Sequence, residues 1–92
     1  MSTNLSESML RAELKKFICV EVLRKPDYPL AEDESLIEAA LVDSYGLSRI
    51  VSYMEDTYQV SIDDEELTAS NMDNLVLMSS FLMKRLNDTS QS

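Results

Sequence analysis

The sequence predicts an all-α fold, a four-helix bundle of three main helices and one short helix, with a long loop between the first two helices and a single domain over residues 1–92. Two observations predict it. Apolar residues recur at helical spacing in three separate stretches, and the only strand-like alternation is Val60-Ser61-Ile62. A chain of this length buries one modest core, and packing the stripes against one another is the economical way to bury them.

The first stripe is Leu10, Leu14, Phe17, Ile18 and Val22, with Arg11, Lys15, Lys16 and Glu21 largely off it. Its helix is expected to begin near Asn4, a capping residue with Glu7 three positions on to reach back to it. It is expected to stop near Arg24, because Pro26 disfavours helical geometry in the residue before it. Arg24 and Lys25 then sit at the negative end of the helix dipole.

Residues 25–43 read as the long loop, with Pro26, Pro29 and the acidic run Glu32-Asp33-Glu34. Leu36, Ile37, Ala40 and Leu41 are spaced for a single helical turn within it. A loop this long suggests a functional role.

The second helix has the cleanest pattern. Asp43 precedes Leu47, Ile50, Val51, Met54 and Tyr58, an apolar stripe with a capping residue at its head. The opposite face, Ser48, Arg49, Ser52, Glu55 and Asp56, is expected to stay in water and to meet another protein. Asp63-Asp64-Glu65-Glu66 supplies negative charge suited to the first turn of a short third helix through Leu67. The last helix is expected to begin at Asp73 or Asn74 and to bury Leu75, Met78, Leu82 and Leu86, leaving 87–92 as a polar, frayed tail.

Composition narrows the chemistry. The chain has no His, one Gly and one Cys, which removes Ser-His-Asp and Cys-His nucleophilic systems, His-based metal sites and Gly-rich phosphate cradles. The protein is therefore not expected to be an enzyme. A hydrolase using Ser44 would need a carboxylate such as Asp43 in place of histidine. The acidic run 63–66 lacks the spacing and turn glycine of a calcium loop. Cys19, within the first helix, reads as a buried, inert thiol.

The formal charge is −9, and between Lys25 and Lys84 the only basic residue is Arg49. Such a field repels nucleic acid and favours basic protein surfaces as partners. No apolar run approaches the length of a membrane span, and the N-terminal residues lack a basic region followed by an apolar one. A cytoplasmic monomer is expected.

Asp43 and Ser44 stand where the long loop meets the best helix. Asp43 can cap free backbone amides while Ser44 projects its hydroxyl at the positive end of the dipole, where a phosphodiester would be stabilised. Asp-Ser at a helix start is by itself ordinary capping. The flanking residues add to it. Leu36-Ile37-Glu38-Ala39-Ala40-Leu41-Val42-Asp43-Ser44-Tyr45-Gly46-Leu47 resembles the attachment segment of acyl carrier proteins, Met54 to Ile62 resembles the end of their second helix and the loop after it, and Asn71-Met72-Asp73-Asn74-Leu75 resembles the approach to their last helix.

That resemblance, over roughly residues 10–86, implies an acyl-carrier-like bundle in which a phosphopantetheinyl transferase joins the 4'-phosphopantetheine of coenzyme A to Ser44. The arm's thiol would hold an acyl or aminoacyl group as a thioester for loading and processing enzymes. Tyr45, Ser48, Arg49, Ser52 and Glu55 are the residues expected to be read by those partners. Three departures point toward a specialised polyketide, peptide or D-alanyl-like pathway rather than bulk fatty-acid synthesis. Tyr45 stands where most members have Leu, Ala40 where many have Gly, and Ser48, Arg49 and Ser52 replace a more acidic stretch. The alternative is an unmodified acidic adaptor or regulatory module.

Overall fold

A computed structural model describes residues 6–90, with side chains through Asp88. The fold is all-α, and no strand occurs among the described residues. Helix α1 spans Glu7–Phe17 and runs directly into a π-helical turn, Ile18–Val22; α2 spans Ser44–Tyr58; a 3-10 turn covers Asp64–Glu66; α3 is the short helix Ala69–Met72; and α4 spans Leu75–Ser90.

The N-cap of α1 is Ser6, whose Oγ accepts the Met9 amide at 3.2 Å. The expected cap at Asn4 lies outside the described residues, and the helix starts later than a cap there would place it. Ser6 and Asn4 are equally good capping types, so composition could not choose between them. Leu10, Leu14 and Ile18 are completely buried, whereas Phe17 and Val22 pack at the edge of the core. Each fully buried side chain contributes about 2 kcal/mol.

The run does not stay α-helical to its end. The Leu23 amide bonds to the Ile18 carbonyl, five residues back, at 2.8 Å, and Lys25 reaches the Cys19 carbonyl at 2.7 Å. Arg24 then takes a left-handed conformation, φ 58°, which turns the chain out ahead of Pro26. Cys19 is buried within this turn, and burial pushes its thiol up from the usual range.

No helix forms between Leu23 and Asp43. Around Leu36 to Leu41 the chain makes turns rather than the single helical turn the spacing suggested: Ala40 takes a left-handed conformation, and the Leu36, Ile37 and Glu38 amides bond to a distant residue, Asp73. Leu30, Leu36 and Val42 nevertheless enter the core. Tyr28 donates its hydroxyl to Glu34, whose other oxygen accepts the Ala31 amide at 3.1 Å. These bonds hold the Glu34 carboxyl below its usual range and the Tyr28 phenol above.

Helix α2 buries Ile50, Val51, Met54 and Tyr58, and Gln59 closes it in the left-handed conformation. The Tyr58 hydroxyl donates to Glu13 of α1. After Val60 and Ile62, both buried, the acidic run makes only a 3-10 turn. Glu66 accepts the Asp63 amide at 3.0 Å, but Leu67 leaves helical geometry, and the side chain of Asn71 takes the freed Glu66 carbonyl at 3.0 Å. The short helix therefore forms later than the charge pattern placed it, at Ala69–Met72.

Asn74 heads α4, its Oδ1 accepting the Leu77 amide at 2.8 Å. Leu75, Met78 and Leu82 are buried and Leu86 lies at the core's edge. The helix continues through Ser90, so the start of the expected frayed tail is helical; residues 87–90 contain neither Pro nor Gly to stop it. Helix α4 packs on α1 and α3, and α2 packs on the π-helical turn. Arg11 ties three parts together, with Nη1 donating to Ser79 of α4 at 3.4 Å and Nε 3.3 Å from Glu32 in the loop. No described helix is long and apolar enough to cross a membrane.

Candidate functional site

The head of α2 is built from local chemistry. Asp43 is extended, with φ −93° and ψ −174°, and its Oδ1 accepts the Gly46 amide at 2.8 Å. Its carbonyl accepts the Leu47 amide at 2.9 Å. The cap leaves the amides of Ser44 and Tyr45 outside it, at the positive end of a fifteen-residue helix. Ser44 is exposed, and its hydroxyl makes no hydrogen bond among the described residues.

Gly46 explains how the first turn sits so deep. A Cβ there would lie 3.0 Å from Cγ1 of Val42 and 3.1 Å from Cγ1 of Val22. The π-helical turn, the end of the loop and the head of α2 thus meet at one position where even a methyl group would press on both valines. Ser44 opens on the other side, into a surface cleft of about 480 Å³ whose apolar walls are Ile37, Ala40, Val42, Leu47 and Leu67. Ala40 holds φ 60°, a left-handed conformation that glycine adopts at no steric cost.

The residues expected to be read by partners divide into two groups. Tyr45, Ser48, Arg49 and Ser52 line one groove of about 460 Å³, floored by Phe17 and Tyr53. Those two rings stack with centroids 4.3 Å apart. Tyr45 is 73% exposed. Arg49 is not a free cation, since Nη1 donates to the Glu21 carbonyl at 2.7 Å and Nη2 lies 3.7 Å from the Glu21 carboxylate. It satisfies a carbonyl at the end of the π-helical turn that has no partner within its own helix.

Glu55 is not part of this groove. It is half-buried, and its Oε2 accepts the Ile62 amide at 2.9 Å. The helical wheel put Glu55 in water, but the chain returns alongside α2 after Gln59 and brings an amide that needs an acceptor. The Glu55 carboxylate ties the segment after α2 back to the helix.

Asp73, read from the sequence only as a possible start of α4, has a larger part. Its Oδ1 accepts the Ser35 hydroxyl at 2.9 Å, the Ile37 amide at 2.8 Å and the Glu38 amide at 3.1 Å, while its carbonyl accepts the Leu36 amide at 2.6 Å. Burial alone would raise this carboxyl, but the bonds from Glu38, Ile37 and Ser35 outweigh it and hold it below its usual range. No local signal marks this role, because every partner lies at least thirty-five positions away. The Ala at position 40, by contrast, was visible in the sequence as a departure from the glycine of similar segments.

Among the described residues, no group of three or more His, Cys, Asp or Glu is arranged to hold a metal ion. The geometry offers an unengaged primary hydroxyl beside helix-head amides and an apolar cleft, and the Oδ1 of the adjacent Asp43 is occupied by the cap. No family model matches the chain, and no curated protein matches it.

Proposed function

We propose that the chain is a carrier protein with an acyl-carrier-like bundle, and that Ser44 is the attachment point of 4'-phosphopantetheine transferred from coenzyme A by a separate transferase. The observation that carries this reading is the Ser44 hydroxyl: exposed, unbonded, and at the head of a helix whose cap is supplied by its neighbour Asp43. The site suits the group in two respects. The Ser44 and Tyr45 amides face a position where a phosphodiester is stabilised by the helix dipole, and the adjoining cleft has apolar walls.

The arm supplies a terminal thiol that holds an acyl or aminoacyl cargo as a thioester. The chain's own residues do the rest. Asp43 fixes the first turn so that Ser44 points outward, and Gly46 allows that turn to seat against Val22 and Val42. With no histidine in the chain, the base and the metal for loading come with the transferase. Tyr45 beside the Ser48, Arg49 and Ser52 groove is the surface on which loading and processing enzymes choose this carrier.

Intact mass after incubation with coenzyme A, magnesium and a broad-specificity phosphopantetheinyl transferase tests the reading. One phosphopantetheine is expected to be gained by the wild type and none by Ser44→Ala, whose helical circular dichroism should be unchanged because Asp43 retains the cap. The second reading, an unmodified adaptor, draws on the exposed Tyr45 and its groove. It is favoured if the folded wild type gains no mass.

A further inference from the structure

We propose that Asp73 is a positioning residue for Ser44, its carboxylate holding residues 35–38 so that the chain entering α2 forms a fixed wall of the Ser44 cleft. The connection runs through few atoms. Asp73 gathers the Ser35 hydroxyl and the Ile37 and Glu38 amides on one oxygen, and its carbonyl takes the Leu36 amide. The same residue, Leu36, accepts the Val42 amide at 2.9 Å on its carbonyl. Val42 is followed directly by the Asp43 cap and Ser44, and with Ile37 and Ala40 it walls the cleft.

Two further features show that the wall needs an external hold. Ala40 is in the left-handed region, φ 60°, which an unrestrained alanine leaves. Within the turn around it lie the Ala40 to Ile37 bond at 3.0 Å and the Ala39 amide on Ser35 Oγ at 3.1 Å, inside the span closed by the Val42 to Leu36 bond. Ser35 Oγ is itself oriented by donating to Asp73. Removing the carboxylate therefore frees the entry of the turn at Ser35, Ile37 and Glu38 and leaves Leu36 held only by its main-chain bonds to Asp73 and Val42, whereas the Asp43 cap, made within its own helix, stays. Ser44 would keep its place on α2 and lose a defined cleft.

The activity arm of the test rests on the carrier reading, and the exchange arm does not. In steady-state loading, Asp73→Ala is expected to raise the transferase's KM for this chain about ten-fold with kcat retained, as when only a tenth of the molecules present the competent wall. Asp73→Asn, which keeps Oδ1 as an acceptor, restores most of the loss. Hydrogen exchange should show the Ile37, Glu38 and Val42 amides losing protection in Asp73→Ala while the Gly46 and Leu47 amides keep theirs.

Folded Asp73→Ala that loads with wild-type KM overturns the proposal, and so does Asp73→Asn that behaves like Asp73→Ala. If Asp73→Ala does not fold, Ser35→Ala removes one bond of the cradle and must show the same KM effect in smaller size; a wild-type KM there overturns the proposal. Should wild-type protein not load at all, the carrier reading fails, and exchange alone decides. Loss of Ile37 and Glu38 protection in Asp73→Ala but not in Asp73→Asn sustains the cradle, and unchanged protection ends it.

Discussion

Helix α2 and the segment before it, residues 24–43, meet at Asp43 and are held by opposite means. Helix α2 carries its own instructions: an apolar stripe at helical spacing, a capping aspartate one residue ahead, and a left-handed Gln59 at its end. The segment before it has no regular element, yet Leu36 is as completely buried as Ile50 or Met54 of the helix. The amides of Leu36, Ile37 and Glu38 are satisfied by Asp73, those of Tyr28, Leu30, Ala31 and Glu34 bond within the segment, and its geometry includes a left-handed alanine. Irregular backbone is therefore not the less structured part of this molecule; at residues 36–38 its structure is supplied from elsewhere in the chain.

The comparison can be broken most directly in its core. Leu36→Ala is expected to cost about 3 kcal/mol, the range of a buried leucine in a helix, despite its place in a turn. Urea denaturation checks this, and a cost under about 1 kcal/mol would mean that the segment is peripheral to folding. Asp43→Ala removes a local cap and should cost about 1 kcal/mol, leaving the exchange of Ile37 and Glu38 untouched. Loss of protection at those amides in this variant would show that the two regions are not separately held.

The effect of acid is local. Because the fold holds the Asp73 carboxyl below its usual value of 3.8, its stabilisation is complete above that value and is lost as pH falls through the lower, folded value. Protection factors at Ile37 and Glu38 should stay level from neutrality to about pH 4 and fall below it. In Asp73→Asn that acid limb should be reduced. The smallest expected effect is a gain. Ala40→Gly relieves a left-handed alanine but adds freedom to the unfolded chain, for a net stabilisation of about 0.5 kcal/mol. A loss of stability in thermal melts would show that the Ala40 methyl group packs well enough to outweigh its backbone conformation.

What the sequence made legible follows the same division. The extent of α2, its cap, its buried face and the start of α4 at Asn74 are all written in residues within a few positions of one another. The role of Asp73 is not, since its partners are brought to it only by the fold. The bonds of Glu55 and Arg49 were not legible for a related reason. A helical wheel knows one helix, whereas Glu55 meets the Ile62 amide and Arg49 meets Glu21 across gaps in sequence. The acidic run at 63–66 carried a sound electrostatic argument for a helix start, but it was outweighed by the departure of Leu67 from helical geometry.

The π-helical turn at Ile18–Val22 has a consequence for how the chain tolerates insertion and deletion. Each residue of a helix advances its face by about 100°, so one extra residue in a turn acts as a phase shifter. Helix α1 packs on α4 and reaches α2 with Glu13 and Phe17, and within the turn Glu21 and Val22 face α2. One continuous helical run can thus serve two partners lying in different directions. A single-residue deletion at the exposed Val20 would restore uniform phase and force a choice, with either α1 leaving α4 or Val22 leaving Gly46. A lineage that lost this residue would need a side chain at position 46 to fill the space that Val22 leaves.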